Sequence, residues 1–298
     1  MADSVGMIGL GIMGGAMSAN LVDAGFAVTG YDVDSSACGR LAAKGGAVAA
    51  SPGAVAQKAG IVITSLPSPK ALDEVVNGAD GLIAAGRKGL IVVETSTLAI
   101  EDKQRAHDAL AKAGMTMLDC PLSGTGAQAV TRDLLVYASG ERDAFERCVP
   151  VLDGFARGSH YVGAFGNGSK MKYVANLLVA IHNVASGEAM LLGMKAGLDP
   201  QAIYDVIADG AGGSRMFQVR GPMMVADDYE PATMKMDVWQ KDMKVIGEFA
   251  RSLNSPTPLF DASDLIYKEG MKQGRDKQDT ASACGILEQM AGFRRGES

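Results

Sequence analysis

We predict an α/β domain built on a parallel sheet over residues 1–163 and an almost wholly helical domain over residues 164–298. Three observations support this: a glycine-rich turn between an apolar run and a helical run, a regular alternation of short β-rich and helical runs to about residue 162, and the loss of β-rich runs beyond the connector Gly163–Gly168. Ligands of parallel sheets bind beyond the carboxyl ends of the strands, so the loops there are candidate functional segments.

The glycine-rich turn carries Gly9, Gly11 and Gly14 in G-x-G-x-x-G spacing. The first glycine makes the tight turn, the second lets backbone approach a pyrophosphate, and the third lets the helix pack on the strand. Asp32 follows the second predicted strand, where a carboxylate accepts from ribose hydroxyls and repels a 2′-phosphate. The pattern indicates NAD rather than NADP. The plainer alternative is a helix-capping glycine turn followed by a surface acid.

The composition indicates which class of protein this is and in which compartment it is found. A chain of 298 residues with 47% hydrophobic and 21% charged residues is long enough for two soluble domains. The net charge of −6 disfavours nucleic acid and anionic membranes as partners, and no uninterrupted apolar run is long enough to predict a membrane span. No basic leader precedes the first strand, and the four cysteines are scattered. We therefore expect a cytoplasmic protein with free thiols and no metal site.

In the first domain, short apolar runs rich in β-branched residues predict strands, and the polar-apolar stretches between them predict helices. The predicted strands are Val5–Ile8, Ala27–Tyr31, Ile61–Ser65, Leu90–Glu94, Thr116–Leu118, Leu134–Ala138 and Ser159–Val162. The predicted helices are 12–24, 35–44, 52–58, 70–77, 101–112 and 142–152. Because continuous apolar strands alternate with helices, we expect a parallel sheet that is covered on both faces.

Three loops after strands are candidates for chemistry. Two prolines stiffen the loop Leu66-Pro67-Ser68-Pro69, and three hydroxyls follow the next strand at Thr95-Ser96-Thr97. Both loops are equally compatible with ordinary helix starts, since Ser, Thr and Pro are common there. Serine and glycine in the segment Asp119–Gly126 could offer a hydroxyl and backbone N–H groups to an anion, or form an ordinary turn.

A helix of about 40 Å is predicted from Lys170 to about Ala196, ending at Gly197 as a C′ glycine. Asp199-Pro200 begins another helix, and further helices are predicted at 214–225, 233–253, 258–273 and 279–292. On the long helix, Lys172, Asn176 and Asn183 share one face. That face is either solvated or in contact with a ligand, and spacing alone leaves both open.

Taken together, these motifs resemble those of the β-hydroxyacid dehydrogenase family. The cofactor signature G-L-G-x-M-G-x-x-M-x-x-N-L of that family is matched by Gly9, Leu10, Gly11, Ile12, Met13, Gly14, Met17, Asn20 and Leu21. The substrate signature D-x-P-x-S-G-G is matched by Asp119, Pro121, Ser123 and Gly124, and the catalytic signature G-x-G-x-x-x-K-x-x-x-N by Gly166, Gly168, Lys172 and Asn176. A later Lys-Asp pair of the family resembles Lys241-Asp242. The resemblance extends from about residue 4 to about residue 290.

The resemblance implies a Rossmann-like domain and an all-α domain joined by the long interdomain helix, an active site in the cleft, and a homodimer or homotetramer. It implies that Ser123 and Gly124 hold a substrate carboxylate, that Lys172 is the general acid/base and that Asn176 positions the substrate. Lys241 would contact substrate or close over the cofactor. Leu66, Pro67 and Thr97 would line the nicotinamide side. A lysine serves as a base at neutral pH when desolvation or a neighbouring ammonium lowers its pKa.

Two positions depart from the family pattern. Thr125 replaces the second glycine of the substrate signature and adds a side chain beside the carboxylate site. The resemblance therefore does not specify the chemical group at the other end of the substrate. Val179 stands where the decarboxylating members have a glutamate, so we expect hydride transfer without CO2 loss. The expected substrate is a small 3-hydroxy acid or its semialdehyde, of the 3-hydroxyisobutyrate, glycerate/tartronate semialdehyde or threonate type. The alternatives are an imine reductase-like enzyme and a non-catalytic dinucleotide-binding module.

Overall fold

The structure, a computed structural model, describes residues 4–296. Contacts divide the chain into two compact units, the first ending at Lys172 and the second beginning at Tyr173. That division falls inside the long helix, nine residues after the boundary predicted from the sequence at residue 163.

The first unit is built on a six-stranded parallel sheet. The strands of this unit are β1 (Ser4–Ile8), β2 (Ala27–Tyr31), β3 (Ala47–Val48), β4 (Ile61–Thr64), β5 (Ile91–Glu94), β6 (Thr116–Asp119), β7 (Leu122–Ser123), β8 (Leu135–Ala138) and β9 (Gly158–Tyr161). The large sheet has the order β3-β2-β1-β4-β5-β6, and every neighbouring pair is parallel. This is the strand order of a dinucleotide-binding Rossmann domain, and it confirms the predicted α/β class.

The last predicted strands do not extend the large sheet. They are β8 and β9, which join β7 in a second, three-stranded sheet of order β7-β8-β9, in which β7 pairs antiparallel with β8, and β8 pairs parallel with β9. A single bridge between Asp119 and Ser139 links the two sheets. Strands β3 and β7 have two residues each, too few to show a hydrophobic period, which is why the sequence did not reveal them.

The helices of the first unit cover both faces of its large sheet. They are α1 (Ile12–Asp23), α2 (Ser35–Ala43), α3 (Pro52–Lys58), α4 (Pro69–Asn77), α5 (Ile100–Lys112), α6 (Gly126–Val130) and α7 (Arg142–Asp153). Neighbouring residues of β1 show the two faces, because Met7 packs in one buried apolar cluster and Ile8 in another. The predicted coverage of both faces is confirmed.

The remaining helices agree with the sequence prediction except at some ends. They are α8 (Asn167–Lys195), α9 (Pro200–Ala208), α10 (Arg215–Ala226), α11 (Met236–Ser252), α12 (Pro258–Lys272) and α13 (Ala283–Met290). The helix predicted at 279–292 begins instead with a 3-10 turn at Thr280–Ser282, capped by the side chain of Asp279. Since a 3-10 turn preserves the apolar spacing of a helix start, the sequence did not separate the two.

Asn183 belongs to the core of the second unit rather than to a solvated or ligand-binding face. Its Oδ1 accepts a hydrogen bond of 2.9 Å from Arg220 Nη1, and its Nδ2 lies 3.3 Å from the hydroxyl of Tyr267. Arg220 in turn pairs with the buried Asp279 at 3.0 Å. By length and composition α8 also meets the criteria for a membrane span. These buried polar contacts show that the Asn183 face of α8 packs in a protein core.

Candidate functional site

Two of the three glycines in the first turn are required by sterics, and the third leaves the helix start open. Gly9 has a φ of +88°, and a Cβ there would lie 2.2 Å from the carbonyl oxygen of Ser65. A Cβ on Gly14 would lie 1.8 Å from the carbonyl oxygen of Gly9, so only glycine lets α1 start this close to β1. A Cβ on Gly11, the N-cap of α1, would meet nothing within 4 Å. The open N-terminus of α1 therefore fits a pyrophosphate.

The carboxylate of Asp32 is held beside this turn by two backbone N–H groups. Leu10 N donates to Asp32 Oδ2 at 2.6 Å, and Asp34 N donates to Oδ1 at 2.8 Å. Asp34 itself caps α2, with Ser36 N donating to its side chain at 2.8 Å, and the hydrogen bonds from Ser36 lower the pKa of Asp34. Asp34 is thus committed to the helix, and the remaining acceptor capacity of Asp32 fits the ribose hydroxyls of NAD.

The loops after β4 and β5 combine helix capping with contacts to each other. Ser68 caps α4, whose first residue is Pro69. Leu66 N donates to Ser96 Oγ at 2.8 Å, and Thr95 Oγ1 donates to the carbonyl oxygen of Thr64 at 2.7 Å. The hydroxyls of Thr95 and Ser96 therefore hold backbone.

Thr97 is the partly exposed member of the three hydroxyl residues, since Thr95 and Ser96 are buried. Leu66 is partly buried and Pro67 is exposed. The prediction that Leu66, Pro67 and Thr97 line the nicotinamide side stays a prediction.

The predicted substrate loop runs from β7 into the short helix α6. Gly124 has a φ of +138°. Thr125 caps α6 in a capping box with Gln128, whose Oε1 accepts from Thr125 N at 3.0 Å. A Cβ on Gly126 would lie 2.5 Å from Ile12 Cγ2, so this loop lies against the first residue of α1. The substrate contacts predicted for Ser123, Gly124 and Thr125 stay predictions, and the hydroxyl of Thr125 has a second role as the cap.

Asn20 ties the cofactor helix to this loop. Its Nδ2 donates to the carbonyl oxygen of Ala129 in α6 at 2.7 Å, and both groups are buried. Arg132 adds a bond from Nη2 to the carbonyl oxygen of Asn20 at 3.3 Å. The asparagine of the cofactor signature is therefore structural: it fixes α6 on α1.

A buried ion triad lies at the ends of β5 and β6. Lys103 Nζ lies 2.7 Å from Glu94 Oε2 and 2.8 Å from Asp119 Oδ1, and the exposed fractions of the three side chains are 1%, 0% and 0%. Burial alone would lower the pKa of Lys103, but the two carboxylates outweigh it and raise the pKa above its ordinary value. The ammonium stays charged at neutral pH.

Asp119 also fixes the first turn of α8. Ser169 N donates to Asp119 Oδ2 at 2.7 Å, and Ser169 Oγ donates to Oδ1 at 2.8 Å. A Cβ on Gly168 would lie 2.4 Å from the carbonyl oxygen of Tyr137, so only glycine lets the helix start here. A carboxylate at a helix N-terminus is favourable to the helix dipole. Lys172, which is partly buried, follows Ser169 by three residues on the same helix.

In the second unit the structure brings together two residues predicted for the site. Asn176 Nδ2 donates to Asp242 Oδ2 at 3.0 Å, and both side chains are buried. Lys241 Nζ lies 3.8 Å from Asp242 Oδ1, and 36% of the Lys241 side chain is exposed. Asp242, which the sequence indicated only as the second member of a Lys-Asp pair, is the link between them.

Sequence reasoning missed Lys103 and Glu94. Glu94 ended a predicted strand and Lys103 lay in a predicted helix with many charged residues, so both resembled ordinary surface charges. The signal that could have found them is a carboxylate closing each of two neighbouring strands, since such a pair needs a cation if both are buried.

Other predicted features concern thiols and metals. All four cysteines are free, as expected, and Cys38 alone among them is not fully buried. Within residues 4–296, no group of three or more His, Cys, Asp or Glu side chains is arranged to hold a metal ion.

The glycine geometry predicts a sharp effect of Gly14→Ala on cofactor binding. The new Cβ would overlap the carbonyl oxygen of Gly9, so the turn must open, and we expect the Kd for NADH to rise by about 10²-fold. Gly39→Ala, on the exposed side of α2 where a Cβ meets nothing, is the matched control and should bind NADH normally. Fluorescence titration measures both, and equal affinities would contradict this role of the turn.

Comparison with known proteins adds the family. Residues 4–163 match the NAD binding domain of 6-phosphogluconate dehydrogenase, and residues 166–287 match the NAD-binding family domain of NADP-dependent 3-hydroxyisobutyrate dehydrogenase. L-threonate dehydrogenase of Cupriavidus necator is 33% identical over 96% of this chain and 97% of its own. NAD-dependent L-serine dehydrogenase of Pseudomonas aeruginosa is 30% identical over 92% of this chain and 94% of its own.

Among solved structures, 3-hydroxyisobutyrate dehydrogenase from Salmonella typhimurium is 31% identical, with a TM-score of 0.86 over 95% of this chain and 99% of its own. Both family domains and relatives above 30% identity cover nearly the whole sequence. The cofactor domain matched is an NAD-binding one, which agrees with the glycine turn and Asp32. The chain belongs to the β-hydroxyacid dehydrogenase family of NAD-binding oxidoreductases.

Proposed function

We propose that this protein catalyses reversible hydride transfer between NAD and a small 3-hydroxy acid, with Lys172 as the general acid/base. The observation that carries the proposal is the anchoring of α8 on Asp119, the last residue of β6. In a parallel sheet the carboxyl ends of all strands lie at one edge, so the start of α8 and the glycine turn after β1 share that edge. A lysine one turn into α8 suits proton transfer there.

The proposed chemistry divides between the cofactor and the chain's own residues. NAD, when bound, accepts the hydride from the alcohol carbon. Lys172 takes the hydroxyl proton during oxidation and returns it during reduction, as a general base and acid. Ser123 and the backbone N–H of Gly124 hold the substrate carboxylate. Asn176, oriented by its bond to Asp242, fixes the substrate, and Lys241 contacts substrate or cofactor.

The substrate class rests on the relatives and on two residues of the chain. The related enzymes are named for L-threonate, L-serine and 3-hydroxyisobutyrate. Each of these acids carries a hydroxyl on the carbon β to its carboxylate, so we include all three chemistries, with glycerate and tartronate semialdehyde, in the candidate set. Thr125 adds a side chain beside the proposed carboxylate site and so bears on the choice of substrate. Val179 bears on the reaction, because it supplies no acid for a decarboxylation step. Stoichiometric CO2 release would therefore contradict simple hydride transfer.

NAD is preferred over NADP in this proposal because the Asp32 carboxylate is fixed by two N–H bonds and would repel a 2′-phosphate. Imine reduction and a purely nucleotide-binding role are less favoured, since the chain has kept Lys172, Asn176 and the substrate signature. We also propose that the enzyme acts in the cytoplasm, in keeping with its four free thiols.

We further propose that the enzyme is a homodimer or homotetramer assembled through α8. This helix exposes Met171, Val174, Leu178 and Leu192, with exposed fractions between 43% and 73%. The four residues recur at heptad-like spacing along one side of the helix, which is the pattern of a helix that packs on a partner helix. A second copy of the chain offers the same surface, and such self-complementary contacts produce twofold dimers.

The catalytic role predicts the effect of Lys172→Ala. Loss of the acid/base group should lower kcat by at least about 10²-fold and leave the Kd for NADH nearly unchanged. Lys170→Ala is the matched control, because Lys170 is exposed on the same helix and its Nζ donates to Asn167 Oδ1 at 3.2 Å. The measurement is NADH formation with L-threonate, L-serine and 3-hydroxyisobutyrate. Near-normal turnover of the Lys172 variant would exclude that residue from the mechanism.

The assembly proposal predicts that Leu178→Glu shifts the protein to monomers, because a charge would have to be buried at the helix contact. Leu253→Glu alters another exposed leucine, one outside α8, and should leave the mass unchanged. Sedimentation equilibrium gives both masses. A wild-type protein that sediments as a monomer would refute the assembly.

A further inference from the structure

The buried ion triad Glu94–Lys103–Asp119 has two arms that reach different parts of the proposed site. We propose that Lys103 is a positioning residue, which holds the nicotinamide-side loop and the first turn of the catalytic helix in a fixed relation to each other. This inference rests on the proposed function for its catalytic consequence, whereas its consequence for cofactor binding does not depend on the substrate.

The first arm leads from Glu94 to the nicotinamide side. Ser96 N donates to both carboxylate oxygens of Glu94, at 3.0 and 3.2 Å. The hydroxyl of the same serine accepts from Leu66 N at 2.8 Å. Leu66 belongs to the loop after β4, the strand next to β1 and its glycine turn. A shift of the Glu94 carboxylate would therefore pass through Ser96 to the backbone of Leu66.

The second arm leads from Asp119 to α8. Ser169 donates two hydrogen bonds to the Asp119 carboxylate, from its N–H and its hydroxyl. Ser139 strengthens the same point, since its Oγ donates to Asp119 and accepts from Gly168 N at 2.9 Å. The first turn of α8 thus rests on one carboxylate, and Lys172 follows on the next turn.

The triad needs its cation because its two carboxylates are neighbours. Glu94 and Asp119 are register partners on the adjacent strands β5 and β6, and neither side chain is exposed. Without the ammonium of Lys103, two buried negative charges would face each other, so one must take up a proton or both must move. Either response alters the acceptors that hold Ser96 and Ser169.

The inferred role of Lys103 is to fix the distance between the nicotinamide-side loop and the Lys172 amine. Hydride and proton leave the same alcohol group toward different acceptors, so the nicotinamide wall and the Lys172 amine must keep a fixed separation. A displacement on the order of 1 Å can lower a rate by about 10²-fold. One buried cation that bonds to both arms supplies such a fixed separation within the first unit.

The test compares Lys103→Met with Leu110→Ala, a buried core variant on the same helix α5. Both should lower the Tm. At a temperature where both are folded, Lys103→Met should lower kcat by about 10²-fold, and Leu110→Ala should keep wild-type kcat. The assay uses NAD with whichever of L-threonate, L-serine and 3-hydroxyisobutyrate the wild type oxidises fastest.

A second readout needs no turnover. ADP-ribose contains the part of the cofactor expected at the glycine turn and Asp32 but lacks nicotinamide. Lys103→Met should raise the Kd for NADH by about fivefold, the equivalent of one hydrogen bond, and leave the Kd for ADP-ribose within about twofold. If the wild type oxidises none of the three acids nor glycerate, and does not reduce tartronate semialdehyde with NADH, the proposed function fails, and this binding ratio still decides the role of Lys103.

Two milder variants keep the test decisive if Lys103→Met does not fold. Ser96→Ala breaks only the first arm and should raise the Kd for NADH but not for ADP-ribose. Ser169→Ala breaks one bond of the second arm and should lower kcat with little change in either Kd. The proposal is overturned if Lys103→Met lowers the Tm but keeps the wild-type kcat and the wild-type ratio of NADH to ADP-ribose affinity. If Lys103→Met does not fold, the same result for both serine variants overturns it. The triad would then be only structural.

Discussion

The ion triad of Glu94, Lys103 and Asp119 is the constraint on which the rest of the first unit's functional geometry depends. Two carboxylates end neighbouring strands and would be costly to bury without a shared cation. Their remaining lone pairs then accept from Ser96 and Ser169. One electrostatic requirement of the sheet thus fixes both a loop and a helix.

In the proposed site, the remainder of the unit contacts the adenosine half of the cofactor mainly through backbone. Gly9 and Gly14 allow α1 to begin against β1, and the N–H of Leu10 orients Asp32. In the proposed site, the adenosine half of NAD binds to backbone and to an Asp32 carboxylate that two N–H groups already hold in place. The reacting half depends instead on side chains carried by loops and by α8, whose positions need the added support of the triad.

The fold could be predicted largely from sequence because its signals are local. Apolar strand runs, the G-x-G-x-x-G spacing and helix caps such as Ser68 with Pro69 each depend on a few adjacent residues. The two-residue strands and the 3-10 turn of Thr280–Ser282 are too short to show a hydrophobic period, so the sequence did not predict them. The candidate site was predicted through motifs, but the partners of those motifs were not. Glu94 meets Lys103 only in the folded chain, and Asn183, predicted on a face that is either solvated or in contact with a ligand, bonds to Arg220 and Tyr267 instead.

In the proposed mechanism, the triad acts on catalysis through the position of Lys172. The most direct test is a double-mutant cycle in kcat that combines Lys103→Met with Lys172→Ala, since residues that act as a unit are not additive. We predict that the kcat of the double variant is within about threefold of the kcat of Lys172→Ala alone. Once the Lys172 amine is removed, the loss of the residue that positions it has no further effect on kcat. If the two losses multiply instead, to about 10⁴-fold, Lys103 acts independently of Lys172, and the triad does not work by positioning that residue.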